Sequence, residues 1–152
     1  MSPMRWFHVD RFEVLEKGEY ARAVKCVTMA EEHLHDHFPG FPVVPSALNI
    51  ETMAQTAGVL AGYTYDFEKN VILAKVEKAE FPMLVRPGDR MIIEAWIDQI
   101  KPEGCWTHAT ISVDDEPAAS ANIIFVHLED ELPESFVFTD NFMDLLEASG
   151  VL

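Results

Sequence analysis

The chain is 152 residues long and carries 11 lysines and arginines against 26 aspartates and glutamates, a formal charge of −15. Apolar residues make up 49% of it, too many for a chain kept unfolded by charge and low hydrophobicity. So acidic a protein is repelled by phosphate backbones and anionic headgroups, which argues against nucleic acid and membrane surfaces as partners.

The length suits a single domain. No uninterrupted apolar stretch approaches the length of a membrane helix, and the start, MSPMRWFHVDRFEVL, lacks the apolar run of a signal peptide. A cytoplasmic protein is expected. Two cysteines, Cys26 and Cys105, are too few for a disulfide framework and read as small buried hydrophobes.

The first predicted element is a strand over Tyr20 to Met29, where β-branched and apolar residues mix without a helical stripe. A loop follows, EEHLHDHFPGFPVVP, whose Pro39, Gly40, Pro42 and Pro45 exclude a regular helix. Its histidines His33, His35 and His37 alternate at a period of two, so on a strand they would share one face, as metal ligands can. The prolines favour a loop instead, and no metal site is expected.

From Ser46 to about Gly62 the sequence turns helical, with Pro45 just ahead and Ser46 able to cap the first N–H groups. Ala47, Leu48, Ile50, Met53, Ala54, Ala57, Val59, Leu60 and Ala61 are apolar nearly all the way round, which predicts a helix buried on most sides. Glu51 and Gln55, four apart, share one face of it.

Four strands are then predicted, over 71–81, 90–100, 105–113 and 118–128, with turns at Pro87-Gly88-Asp89, Pro102-Glu103-Gly104 and Asp114 to Pro117. Short connections favour antiparallel pairing. One buried helix with long antiparallel strands reads as an α+β domain, a sheet wrapped around a helix, over residues 1–130. Residues 131–152 read as a C-terminal tail with a short helix, capped by Thr139 or Asp140 and ending near Gly150, with Phe142, Leu145 and Leu146 on one side.

His37 at the end of the loop and Glu51 in the helix are the candidates for chemistry, although single His and Glu residues are often satisfied by local hydrogen bonds. A carboxyl withdrawn from water is costly to ionise, and an imidazole titrates near neutrality. A neutral acid beside a neutral base is what proton abstraction coupled to loss of a hydroxyl requires. The helix start at Ser46 and Ala47 offers N–H groups to a developing oxyanion.

The run from His37 to Gln55 resembles the signature of FabZ-type (3R)-hydroxyacyl-acyl-carrier-protein dehydratases, His-Phe-Pro-Gly-His-Pro-x-Met-Pro-Gly-Val-Leu-x-x-Glu-x-x-x-Gln. His37, Phe38, Pro39, Gly40, Pro42, Pro45, Leu48, Glu51 and Gln55 match it in identity and spacing. Weaker similarity runs from about Tyr20 to Leu128 and includes Lys78-Ala79, Phe81 and Pro87-Gly88-Asp89. The pattern is broken at Phe41 in place of a histidine, Ser46 in place of a glycine and Val44 in place of a methionine.

The resemblance implies the hotdog fold, a long helix wrapped by an antiparallel sheet, and a homodimer in which His37 of one subunit faces Glu51 of the other. A trimer of dimers is compatible with it. It implies that His37 takes the proton alpha to a thioester carbonyl while Glu51 protonates the departing 3-hydroxyl. Gly40, Ser46 and Ala47 would serve the oxyanion, and Gln55 would orient the acid. No cofactor is implied. Phe38, Phe41, Met53, Phe81 and Met83 are candidates for the acyl tunnel.

The carrier would be an acyl-carrier protein or coenzyme A. Lys75, Lys78, Arg86 and Arg90 form a candidate patch for an acidic carrier, where local charge can outweigh the net charge because screening acts within about 8 Å. Two rivals keep the fold, an acyl-CoA thioesterase and a degenerate subunit that only binds acyl chains.

Overall fold

A computed structural model describes residues 7–128 and 139–152, with side chains from Phe142 onward in the last helix. Six strands, β1 (Arg11–Glu16), β2 (Tyr20–Cys26), β3 (Asn70–Glu80), β4 (Arg90–Lys101), β5 (Gly104–Val113) and β6 (Glu116–Leu128), form one sheet. Its order is β1-β2-β4-β5-β6-β3, and every pairing is antiparallel. The long helix α1 (Ser46–Thr64) packs on the concave face, and α2 (Thr139–Ser149) packs against β1.

Alternation along the strands builds that face. Met91, Ile93 and Ala95 of β4, Cys105, Ala109, Ile111 and Val113 of β5, and Ala119, Ala121, Ile123 and Phe125 of β6 are all buried. The register sets Ala21, Ala95, Ala109 and Ala121 side by side across four strands. A row of methyl groups lets α1 lie close, with Ala54, Ala57 and Ala61 of the helix also buried. The sheet therefore curls around the helix, and the expected hotdog architecture is what forms.

Helix α1 is buried from Thr52 through Gly62, as its all-round apolar composition requires. Its buried threonines are satisfied by the helix itself: Thr52 and Thr56 donate to the carbonyls of Leu48 and Thr52, at 2.8 and 3.1 Å. The expected Ser46 cap is not made. Pro45 occupies the cap position in an extended conformation and its carbonyl accepts from Leu48 and Asn49, which places Ser46 already inside the first turn.

Strand β1 was not predicted, and Cys26 is exposed at the end of β2 while Cys105 is buried. The predicted strand over Tyr20 to Met29 stops at Cys26, where the Val27 N–H turns to the Asp89 carbonyl of the neighbouring Arg86–Asp89 turn. The short helix α2 ends at Ser149 as the sequence suggested; the caps proposed at Thr139 or Asp140 lie outside the described side chains. Among the described residues no helix is long and apolar enough to cross a membrane.

Candidate active site

The His-Phe-Pro-Gly segment is a tight turn closed by its own backbone. Phe38 and Phe41 exchange N–H···O bonds at 3.0 and 2.9 Å, and the Val43 N–H returns to the His37 carbonyl at 2.9 Å. Gly40 sits at φ +75°, a conformation that side chains with a Cβ rarely adopt. The turn presents His37 half-buried, its ring stacked on Phe38.

His37 Nδ1 lies 2.9 Å from the Val43 carbonyl oxygen. A carbonyl only accepts, so Nδ1 carries the hydrogen. In the neutral ring the lone pair is then on Nε2, which makes Nε2 the atom able to take a proton. The turn has set the tautomer.

Glu51 is half-buried in the second turn of α1, and its Oε1 accepts from the Gln55 amide at 3.0 Å. The carboxyl stands in a cavity of about 200 Å3 lined by Glu51, Ala54, Gln55, Gly58, Val71, Ile72, Leu73 and Phe125. The helix wall of that cavity is a single stripe, Glu51, Ala54, Gln55 and Gly58, at the i, i+3, i+4, i+7 spacing of one helix face. Strands β3 and β6 supply the rest. One acid and one amide thus stand beside a wall of aliphatic and aromatic groups, the arrangement that suits an acyl chain with one polar reacting centre.

The other candidates are placed as follows. Met53 is fully buried in the core, and Phe81 and Met83 pack against it, half-buried. Phe38 and Phe41 are 57% and 47% exposed beside the His37 turn. None of these five lines the cavity, and neither does His37. Gly40, Ser46 and Ala47 are exposed, the last two opening the helix.

Of the four cations, Lys75 pairs with Glu77, and Arg90 pairs with Glu13 at 3.1 Å. Arg86 stacks on Phe41 at 4.2 Å and donates to the Pro42 carbonyl, which ties it to the turn that carries His37. Lys78 is exposed near the end of β3. The His33–His35 segment is a 3-10 turn (Glu32–Leu34) in which the His35 Nε2–H donates to the Met29 carbonyl, so the three histidines do not line one strand face.

His8 was not singled out by the sequence. It is buried, its backbone N–H donates to Gln55 Oε1 at 2.8 Å, and burial together with the nearby Lys25 ammonium pushes its imidazole pKa below the ordinary range. No pattern in the sequence links positions 8 and 55. Gly58 and Ala54, by contrast, continue the Glu51–Gln55 face at helical spacing.

The FabA-like domain matches residues 4–122, which span both the His37 turn and the Glu51 helix. The chain belongs to this family. It is 36% identical over 123 residues to a protein of Caldanaerobacter subterraneus named 3-hydroxyacyl-(acyl-carrier-protein) dehydratase FabZ, covering 80% of this chain and 87% of the relative. A FabZ of Oenococcus oeni is 39% identical over 120 residues, covering 78% and 86%. Among solved structures, that of smu.793 from Streptococcus mutans bound to acetyl CoA superposes with a TM-score of 0.67 at 13% identity, over 87% of this chain and 98% of that one. That last likeness speaks for the fold.

Proposed function

We propose that the protein is a FabZ-type hydro-lyase of fatty-acid synthesis, removing water from a (3R)-3-hydroxyacyl thioester to give the trans-2-enoyl thioester. The observation that carries this reading is Glu51, held by Gln55 at the polar end of an apolar cavity, in a chain 34–39% identical to relatives named as dehydratases of this kind.

The acyl chain lies along the cavity with its 3-hydroxyl beside Glu51. His37 Nε2 takes the α-proton, and the electron pair moves toward the thioester carbonyl. N–H groups of Gly40 and of the helix start at Ser46 and Ala47 stabilise the enolate-like oxygen; one such donor is typically worth roughly 3–4 kcal/mol. Collapse of the enolate expels the 3-hydroxyl, which takes its proton from Glu51 and leaves as water. Return of the proton from His37 to Glu51 through solvent resets the site.

The reading also requires a second copy of the chain. Strand β3 is an edge strand with Leu73, Ala74 and Lys75 exposed, a row of backbone groups open to pairing. The same stretch, Val71 to Leu73, walls the cavity, so a partner on that edge would complete the pocket and bring its own His37 to Glu51. A homodimer is the proposed unit. An acyl-carrier protein is the proposed donor, engaged near Lys78 and Arg86. No ion pair to a carboxylate is made by these two among the described residues.

The test is formation of the enoyl absorbance from a 3-hydroxyacyl thioester. His37→Ala and Glu51→Gln should each remove nearly all of it while leaving the folded spectrum unchanged, and Gln55→Ala should do less. Undiminished turnover in either of the first two variants, or release of free thiol in place of the enoyl product, would overturn the reading.

A further inference from the structure

The neighbour of the acid is itself held in place. Gln55 is 3% exposed and stands between Glu51 on its own helix and the chain ahead of β1. A backbone N–H can only donate, so the Gln55 atom that faces the His8 N–H at 2.8 Å is the amide oxygen. The amide nitrogen is thereby turned to Glu51, and Glu51 Oε1 receives its hydrogen at 3.0 Å.

That order has a consequence for the acid. An oxygen that already accepts from the amide is not the one that carries the carboxyl hydrogen. When Glu51 serves as the acid, its hydrogen is then on Oε2, the oxygen that does not accept from Gln55. Were the amide to rotate by half a turn, its oxygen would accept the Glu51 hydrogen and hold it in an unproductive bond.

We propose that the backbone N–H of His8 is a positioning group for the acid, fixing through Gln55 which oxygen of Glu51 bears the transferable proton, and that helix α2 keeps it there. This rests on Glu51 being the acid. The segment is anchored on both sides of His8. Val9 is in the core, and the Asp10 N–H donates to the Val24 carbonyl at 2.8 Å. Phe7 packs edge-on against Phe142 of α2, with ring centroids 5.2 Å apart, and the Phe12 N–H donates to Ser149 Oγ at the end of the same helix. Phe142 and Leu146 are buried in the core. Helix α2 lies beyond the stretch that matches the FabA-like domain, so the clamp is supplied by this chain's own C-terminal segment.

A double-mutant cycle on the full-length chain tests this. His8→Pro deletes the N–H and should lower kcat by about tenfold with little change in KM, as loss of a buried hydrogen bond used in the reaction does. In a Gln55→Ala background the same substitution should lower kcat no further, since the group through which it acts is gone. If His8→Pro does not fold, Phe142→Ala takes its place in the same cycle and should show a smaller loss with the same disappearance. An equal loss of kcat in both backgrounds, or no loss in either, would overturn the proposal. Glu51→Gln is measured alongside. If it is inactive while the losses are additive, only the positioning role fails; if it keeps its turnover, the acid assignment fails with it.

Discussion

At the scale of single residues, hydrogen-bond polarity decides the chemistry. The Val43 carbonyl leaves His37 its Nε2 lone pair, and the His8 N–H turns Gln55 to donate toward Glu51. Neither statement needs more than the rule that a carbonyl accepts and an N–H donates. Close approach decides another position. A Cβ on Gly104 would stand 2.3 Å from the Phe125 carbonyl oxygen across the β5–β6 pair, and backbone cannot retreat as a flexible side chain can. Gly104→Ala should therefore lower stability by about 1–3 kcal/mol or more, read as a shift of the urea midpoint. An unchanged midpoint would mean that the strands part there freely. Phe125 lines the cavity, so activity toward long acyl chains should fall as well.

At the scale of elements, α1 both packs into the sheet and walls the site. Ala54, Ala57 and Ala61 let it settle into the curled sheet, while Glu51, Ala54, Gln55 and Gly58 form the wall of the cavity. Gly58 adds no side chain to a cavity that it lines together with Val71 and Leu73. Gly58→Leu should shorten the accessible chain, lowering kcat/KM for long 3-hydroxyacyl thioesters by roughly tenfold or more relative to a four-carbon one. Equal effects on both lengths would place the acyl chain somewhere else.

Much of this was legible in the sequence. The unbroken apolar girth of α1 and the strand-like stretches that became β4, β5 and β6 are local features, and these elements formed close to where the sequence predicts them; the His37–Gln55 run is legible only through its resemblance to a family signature. What escaped was set by contacts distant in the chain. Strand β1 carries Arg11, Glu13 and Glu16, which hide its pattern; it exists because β2 pairs with it and α2 covers it. Val71, Ile72 and Leu73 read only as strand residues, and nothing local says that they stand opposite Glu51. The candidate tunnel residues Phe38 and Phe41 lie exposed beside the turn.

At the scale of the molecule, charge and burial set the response to pH. His127, near the end of β6, packs against Tyr65 with both ring nitrogens buried and, among the described residues, without a hydrogen-bond partner. Burial, with Lys69 adding to it, pushes its pKa below the ordinary value near 6.5, and His8 is depressed in the same way. For a base depressed on folding, the unfolded chain binds more protons as the pH falls below about 6.5. The stability due to these neutral rings is complete above that pH and is lost as the pH falls from there through the folded values. His127→Phe should flatten the decline in unfolding free energy between about pH 7 and 5; a slope equal to that of the unaltered chain would show that His127 does not contribute.

The proposed reaction needs a site shared between two copies of the chain. In one chain Glu51 has a cavity from which that chain's His37 is missing, and the exposed edge of β3 runs along the cavity's other wall. Complementation measures this directly. His37→Ala and Glu51→Gln chains, each inactive alone, are produced together and allowed to mix. A site built from His37 of one subunit and Glu51 of the other leaves one intact site in every mixed dimer, so random pairing should restore about one quarter of the unaltered activity. No recovery in a mixture shown to contain mixed dimers would mean that acid and base come from the same chain, and would contradict the account.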